Sequence, residues 1–150
     1  MRRSRGPFSK TATVKTLLDS SAFAKRYVEE PGSDAVESAC LAASELGLCV
    51  VCVPEILSAM NRRLRERRLN RSQYDQIKQR LLEDIADAAI IEFTPPVIAA
   101  TVTVLEASVV RAADAMHVAA ALVWGAELFV SSDRRQLAAA RKAGLRVKAV

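Results

Sequence analysis

The chain has 150 residues, of which 51% are hydrophobic, and carries a formal net charge of +5 at pH 7. This length predicts one domain, and the hydrophobic content predicts a packed core and excludes a largely disordered chain. The longest apolar runs are far shorter than the roughly 18 residues of a membrane span, so we expect no contact with a membrane. The basic charge by itself favours polyanionic partners only weakly.

The N-terminal residues are basic and precede the first predicted strand. No apolar signal core lies between Met1 and Asp19, so the sequence lacks the pattern of a secretory signal. We therefore expect a basic tail over residues 1–12, one folded domain over residues 13–150, and a cytoplasmic location.

The first half of the chain alternates short apolar runs with helical patterns. In chain order, we predict a strand over residues 13–18, helices over 20–30 and 34–46, a strand over 48–53, and a helix that begins at Pro54 and continues through the arginine-rich segment RRLRERRLNR (62–71). Pro31 and Gly32 indicate a turn, and Ser33 is a residue type that commonly caps a helix. Proline suits the first helical position, which favours a helix start at Pro54.

The predicted strand over residues 48–53 contains a C-x-x-C pair, Cys49 and Cys52. Residues three apart in a strand point to opposite faces. The chain has no second pair of this kind and only one histidine, so a zinc site lacks ligands. We interpret all three cysteines of the chain, Cys40, Cys49 and Cys52, as buried structural residues in a reducing compartment.

The second half of the chain continues the alternation. In chain order, we predict a helix over residues 71–88 capped by Asn70, a strand over 89–93, a helix over 94–108, a helix that contains 109–122, a strand over 127–132, a helix over 133–143 and a strand over 145–150. Gly125 and Gly144 are typical of positions just after a helix. Continuous apolar strands that alternate with helices indicate a parallel sheet covered on both faces. The sequence therefore predicts an α/β fold, a three-layer α/β/α sandwich in one domain.

Three acidic residues come just after predicted strands: Asp19, Glu55 and Asp133. In open parallel sheets, ligands bind beyond the carboxyl ends of the strands, so these side chains should share one edge of the sheet. Each residue has an alternative interpretation, because acidic side chains also stabilise the first turn of a helix.

Asp114 is a fourth candidate, because it interrupts an apolar helix. Ten of the twelve residues from Ala112 to Val123 are apolar. An isolated buried carboxylate is costly unless it is neutralised, paired or bound to a metal. Arg111 could pair with Asp114 along the helix. Alternatively, the N-terminal end of this helix faces the sheet edge and brings Asp114 beside Asp19.

Four carboxylates in one small site would repel each other unless a cation compensates their charge. Oxygen ligands without a cluster of cysteine or histidine suit Mg²⁺ or Mn²⁺. We interpret His117, the only histidine, as a hydrogen-bonded structural residue and leave it out of the site.

Four segments of the chain, in order, resemble those of the PIN-domain ribonucleases, specifically the VapC type of bacterial toxin. They are LLDSSAFAKRYVEEPGS (17–33), VPEILSAMNRRL (53–64), RAADAMHVAAAL (111–122) and LFVSSDRRQLAAARKAGLRV (128–147). The resemblance implies a sheet order of 3-2-1-4-5. It also implies an acidic pocket formed by Asp19, Glu55, Asp114 and Asp133. Ser131, two residues before the last acid, would support the pocket through a polar contact, and Ser20 would either help through its hydroxyl or cap the helix that follows Asp19.

The activity that the resemblance implies is hydrolysis of RNA phosphodiester bonds with the help of one or two Mg²⁺ or Mn²⁺ ions, which activate water. Asp19, Asp114 and Asp133 would be the principal ligands. Glu55 would bind a second ion or orient the attacking water.

The resemblance also implies partners beyond the RNA substrate. Arginines near the pocket are candidates to hold the RNA backbone, namely Arg62, Arg63, Arg134 and Arg135, although a solvated helix face also explains the arginine-rich segment. The family implies a homodimer and a cognate antitoxin protein, and residues 56–82 are a candidate contact surface for either.

Two other functions fit parts of the sequence. A PIN-like scaffold could hold nucleic acid without cutting it, but the intact acids argue against this. Asp19 could be the nucleophile of a phosphoryl transfer, but such enzymes carry a second aspartate two residues later, where this chain has Ser21.

Overall fold

The computed structural model describes residues 14–150, so the predicted basic tail lies outside the described residues. The strands are Val14–Leu18 (β1), Ala43–Cys49 (β2), Ala89–Ile91 (β3), Leu128–Ser131 (β4) and Val147–Ala149 (β5). The α-helices are Ser20–Phe23 (α1), Ser33–Ala42 (α2), Cys52–Arg65 (α3), Arg71–Ala86 (α4), Pro95–Ala107 (α5), Ala112–Trp124 (α6) and Arg134–Lys142 (α7). No helix among these is long and apolar enough to cross a membrane.

The strands form one parallel sheet in the order β3-β2-β1-β4-β5, which confirms the predicted order. β1 is central: Thr16 lies beside Leu46 of β2 and beside Leu128 of β4. Because the five strands run in the same direction, their carboxyl ends share one edge, where sheets of this kind bind ligands.

Apolar side chains form two cores, one on each face of the sheet. Leu17 and Leu18 of β1 belong to different cores, because successive side chains of a strand point to opposite faces. The core around Leu18 is covered by α1 to α4, and the core around Leu17 by α5, α6 and α7. The molecule is therefore the three-layer sandwich that the sequence predicts.

The segment between α2 and α3 differs from the prediction. β2 covers Ala43–Cys49 instead of residues 48–53, and α2 ends at Ala42 instead of residue 46. Pairing with β1 begins at Ala43, and this tertiary contact overrides the helical tendency of the local sequence. Gly47 also brings β2 against Trp124: a Cβ atom there would lie 2.5 Å from the Trp124 ring.

The shifted boundary changes the setting of the C-x-x-C pair. Cys49 ends β2 and Cys52 begins α3, so the pair spans a strand–helix junction instead of lying within a strand. Both side chains are buried free thiols, whereas the third cysteine, Cys40 on α2, is only partly buried. Burial raises the pKa of the Cys52 thiol to about 12, which keeps it protonated at neutral pH. This environment supports a structural role.

The helix ends follow local chemistry. Asn70 forms a capping box with Gln73 at the start of α4, as its residue type predicts. Gly125 ends α6 with a φ of 80°, which suits glycine. At α2 the cap is Gly32 and not Ser33, whose hydroxyl instead donates to the Lys25 carbonyl oxygen. The first predicted helix is short, because α1 ends at Phe23 and a 3₁₀ turn follows.

Candidate active site

The four predicted acids all lie at the carboxyl edge of the sheet, as their positions after the strands indicate. Asp19 directly follows β1 and caps α1. Asp133 follows β4 and caps α7. Glu55 and Asp114 lie in the first turns of α3 and α6. Each side chain is thus held at a helix N-terminus, where backbone N–H groups favour negative charge.

Asp19 is buried beneath this edge, with 1% of its surface exposed. Its Oδ2 accepts a hydrogen bond of 2.7 Å from the Ser131 hydroxyl, and its Oδ1 accepts one of 2.9 Å from the Ala22 backbone N–H. Ser21 Oγ lies 2.8 Å from both carboxylate oxygens. Burial raises the pKa of Asp19 although these hydrogen bonds oppose the shift.

The other three acids line one cleft of about 550 Å³. The lining residues are Glu55, Asp114 and Asp133 together with Arg111, Ala113, Arg134 and Arg135. Asp19 is not part of the lining. Three carboxylates therefore face the cleft, whereas Asp19 is buried and is linked to it through Ser131, whose hydroxyl donates to Asp19 and accepts the Asp133 backbone N–H. The grouping of all four acids in one pocket remains a prediction.

Asp114 faces the cleft and α7. Its Oδ1 accepts a hydrogen bond of 2.9 Å from Gln136 Nε2. Asp133 Oδ1 in turn accepts the backbone N–H groups of Arg135 and Gln136. In the described part of the chain, Arg111 forms no ion pair with Asp114. The local pairing that was an alternative explanation of Asp114 is therefore not the arrangement found.

Glu55 is held by two neighbouring elements. Its Oε1 accepts a hydrogen bond of 2.7 Å from the Ser20 hydroxyl and lies 2.5 Å from His117 Nε2. Burial alone would raise the pKa of Glu55, but the hydrogen bonds from His117 and Ser20 lower it below its ordinary value. The carboxylate of Glu55 is therefore favoured in its charged form.

Sequence reasoning left three residues out of this site: His117, Gln136 and Ser21. Each contacts one of the predicted acids. The signal for His117 was its position one helical turn after Asp114, on nearly the same side of α6. Gln136 and Ser21 carried no comparable signal, because polar residues in the first turns of helices are common.

The sequence of the chain matches the model of the PIN domain family over residues 16–142. The chain belongs to the PIN domain family. No curated protein matches it significantly in sequence.

Solved structures support the same fold for this PIN domain. FitAcB from Neisseria gonorrhoeae is similar with a TM-score of 0.66 and 18% identity, over 88% of this chain and 95% of the other. A DNA-bound VapBC from Salmonella typhimurium has a TM-score of 0.67 and 15% identity, over 91% and 98%. VapC20 of Mycobacterium tuberculosis, a sarcin–ricin loop cleaving toxin, has a TM-score of 0.64 and 12% identity, over 87% and 95%.

The donor chemistry of this PIN-domain site suits a hard divalent cation, because the groups that line the cleft are carboxylates. Within residues 14–150, however, no three Asp, Glu, His or Cys side chains lie close enough together to hold an ion as they stand. An ion in the cleft would therefore need water molecules, or rotation of the carboxylates, to complete its coordination.

The arginines that were predicted to contact RNA fall into two groups. Arg134 and Arg135 line the acidic cleft, and Arg111 joins them there. Arg63 lines an adjoining groove with Glu55, Ser20 and Ser21. Arg62 is exposed on α3 and lines neither depression. Arginines thus line both the acidic cleft and the adjoining groove, and Glu55 lines both depressions.

Proposed function

We propose that this PIN-domain protein is a metal-dependent endoribonuclease and the toxin of a cytoplasmic toxin–antitoxin pair. The observation that carries the proposal is the cleft in which Glu55, Asp114 and Asp133 face three arginines. Proteins of the PIN family are nucleases, generally with divalent metal ions, which agrees with this combination of groups.

The carboxylates of Glu55, Asp114 and Asp133 would hold one or two Mg²⁺ or Mn²⁺ ions at the cleft. A bound ion lowers the pKa of a coordinated water and stabilises the negative charge that develops on the phosphate. Asp19 does not line the cleft, but its carboxyl group is linked to Asp133 through Ser131. Ser131 keeps that carboxylate in place, because its Oγ donates to Asp19 and accepts the Asp133 backbone N–H.

The arginines of the cleft would bind the RNA backbone. Guanidinium groups pair with phosphate oxygens through two parallel hydrogen bonds, so Arg111, Arg134 and Arg135 are suited to hold the strand beside the carboxylates. A single strand is the best substrate class, because its flexible backbone can enter a narrow depression. Arg63 would extend the contact along α3.

The nuclease proposal predicts that Asp114→Asn loses most RNA cleavage, by about 100-fold or more at subsaturating Mg²⁺, since the variant removes a charged ligand. Cleavage of a labelled RNA by purified protein, with and without EDTA, measures this. Asp87→Asn is the matched control, because Asp87 is exposed just before β3, at the opposite edge of the sheet.

Equal cleavage by wild type and Asp114→Asn, or unchanged cleavage in EDTA, would contradict the nuclease proposal. RNA binding without cleavage would favour the non-cleaving PIN-like module. The phosphoryl-transfer alternative is disfavoured, because Asp19 is too deeply buried to act as a nucleophile on a bulky phosphate.

The proposed partners are an antitoxin and a second copy of the chain. Several solved structures with this fold are toxin–antitoxin complexes, which motivates the antitoxin.

As the contact surface for the second copy, α5 is better suited than residues 56–82. Ile98, Val102 and Leu105 are 44%, 47% and 39% exposed and lie on one side of α5. Among large apolar residues within 56–82, only Leu82 is comparably exposed.

A further inference from the structure

We infer that His117 is a positioning residue of this site: it holds the Glu55 carboxylate at the cleft through a hydrogen bond from a protonated Nε2. The inference deepens the proposed nuclease function and rests on it for its significance in catalysis. It differs from the sequence interpretation of His117 as a structural residue.

The contacts of His117 place it among three elements of the site. The ring is 1% exposed on α6, and its Nε2 lies 2.5 Å from Glu55 Oε1 on α3. Ser20 Oγ, on α1, lies 3.2 Å from the same nitrogen and donates to the same Glu55 oxygen. The imidazole thus contacts Glu55 where α1, α3 and α6 meet.

The hydrogen-bond partners of the imidazole ring determine which of its two nitrogens carries the proton. An ionised carboxylate only accepts hydrogen bonds, so His117 Nε2 must be the donor to Glu55. Nδ1 is buried and has no hydrogen-bond partner in the described part of the chain. A proton on Nδ1 would be a buried donor without an acceptor, which is costly. The ring therefore carries its proton on Nε2.

This contact restricts how Glu55 can face the cleft. The Glu55 side chain is 37% exposed, and both of its hydrogen bonds from described residues go to Oε1. Oε2 accepts none from residues 14–150, so it is the oxygen left for a cation or a water molecule. Without His117, the carboxylate would keep only the hydroxyl of Ser20 and could rotate away. Groups that orient a ligand in this way typically change metal affinity or activity by about 10- to 100-fold.

Two variants separate positioning from packing. His117→Gln keeps an N–H donor near the position of Nε2, whereas His117→Phe keeps the ring volume and removes the donor. We expect His117→Phe to weaken Mn²⁺ binding, measured by calorimetry, by about tenfold. His117→Gln should remain within about threefold of the wild type. If His117 only filled space, His117→Phe would instead bind Mn²⁺ better than His117→Gln, which would overturn the inference.

A double-mutant cycle with Glu55→Ala tests whether His117 acts through Glu55. If it does, Glu55→Ala and the double variant Glu55→Ala with His117→Phe should bind Mn²⁺ equally weakly, since the contact is already lost. Additive losses would overturn the inference. The single-turnover cleavage rate at increasing Mg²⁺ should follow the same pattern, with the defect of His117→Phe reduced at high Mg²⁺.

Long-range ¹H–¹⁵N spectra of the untagged wild type test the proton position directly, because the chain has a single histidine. The expected pattern is that of the Nε2–H form, and an Nδ1–H pattern would overturn the inference. The spectra and the Mn²⁺ cycle need no cleavage. If the wild type does not cleave RNA but the two substitutions are coupled in Mn²⁺ binding, only the nuclease proposal is contradicted. If the wild type cleaves RNA but the two losses of Mn²⁺ binding are additive, only the role of His117 is contradicted.

Discussion

Asp19 illustrates how a single carboxyl group is held at the centre of this fold. It is almost completely buried, yet Ser131, Ser21 and the Ala22 backbone N–H all donate to it. These donors stabilise the charged form, and burial opposes them. Burial dominates, so the pKa of Asp19 lies above its ordinary value of 3.8. A cation in the cleft would reduce this cost.

The raised pKa of Asp19 predicts a specific dependence of stability on pH. In the folded protein the carboxyl binds its proton at higher pH than in the unfolded chain. The group therefore contributes stability that is complete below the unfolded pKa of 3.8 and is lost as the pH rises through the folded pKa. The free energy of unfolding of the wild type, relative to Asp19→Asn, should increase as the pH falls from neutral towards 4. Urea denaturation of both proteins without divalent ions measures this difference, and a difference that is constant with pH would contradict it.

At the level of elements, α5 carries an apolar surface that the fold leaves uncovered. Val97, Thr101 and Val104 are buried, whereas Ile98, Val102 and Leu105 face outward on a neighbouring side of the helix. This apolar stripe of Ile98, Val102 and Leu105 suits a contact between two copies of the chain, because the same residues can meet their counterparts across a two-fold symmetry axis.

Val102→Glu should therefore shift the protein from dimer to monomer, because the new charge would be buried against its copy. Size-exclusion chromatography with light scattering measures the mass. Thr103→Glu is the matched control: Thr103 is exposed on the same helix but lies away from the stripe, so this variant should remain dimeric. A monomeric wild type would remove the dimer proposal.

The elements also show where sequence patterns stop being decisive. The caps at Asn70 and Gly125 follow from local chemistry and were predicted correctly. The boundary between α2 and β2 was not, because residues 43–46 suit a helix as well as a strand. Their conformation depends on the backbone hydrogen bonds that β1 offers, and those exist only once the sheet has formed.

For the whole molecule, the acidic edge predicts that divalent cations stabilise the fold. An ion that binds only the folded state adds about 2.7 kcal/mol at one hundred times its dissociation constant. The melting temperature of the wild type should therefore rise by several degrees with Mg²⁺ or Mn²⁺. Asp114→Asn should show a much smaller rise, and NaCl at matched ionic strength is the control. If the melting temperatures of both proteins rose equally, the ions would bind outside the acidic cleft, which would contradict this prediction.

The sequence by itself determined the class of fold and the shared edge of the acids. Both follow from periodic patterns along the chain, since parallel strands bring every residue that follows them to one side. The tertiary structure alone decided how those side chains relate: Asp19 is buried and does not line the cleft, and His117 contacts Glu55. Such distances depend on how α1, α3 and α6 pack against each other, and side chains from distant segments meet only after that packing is complete.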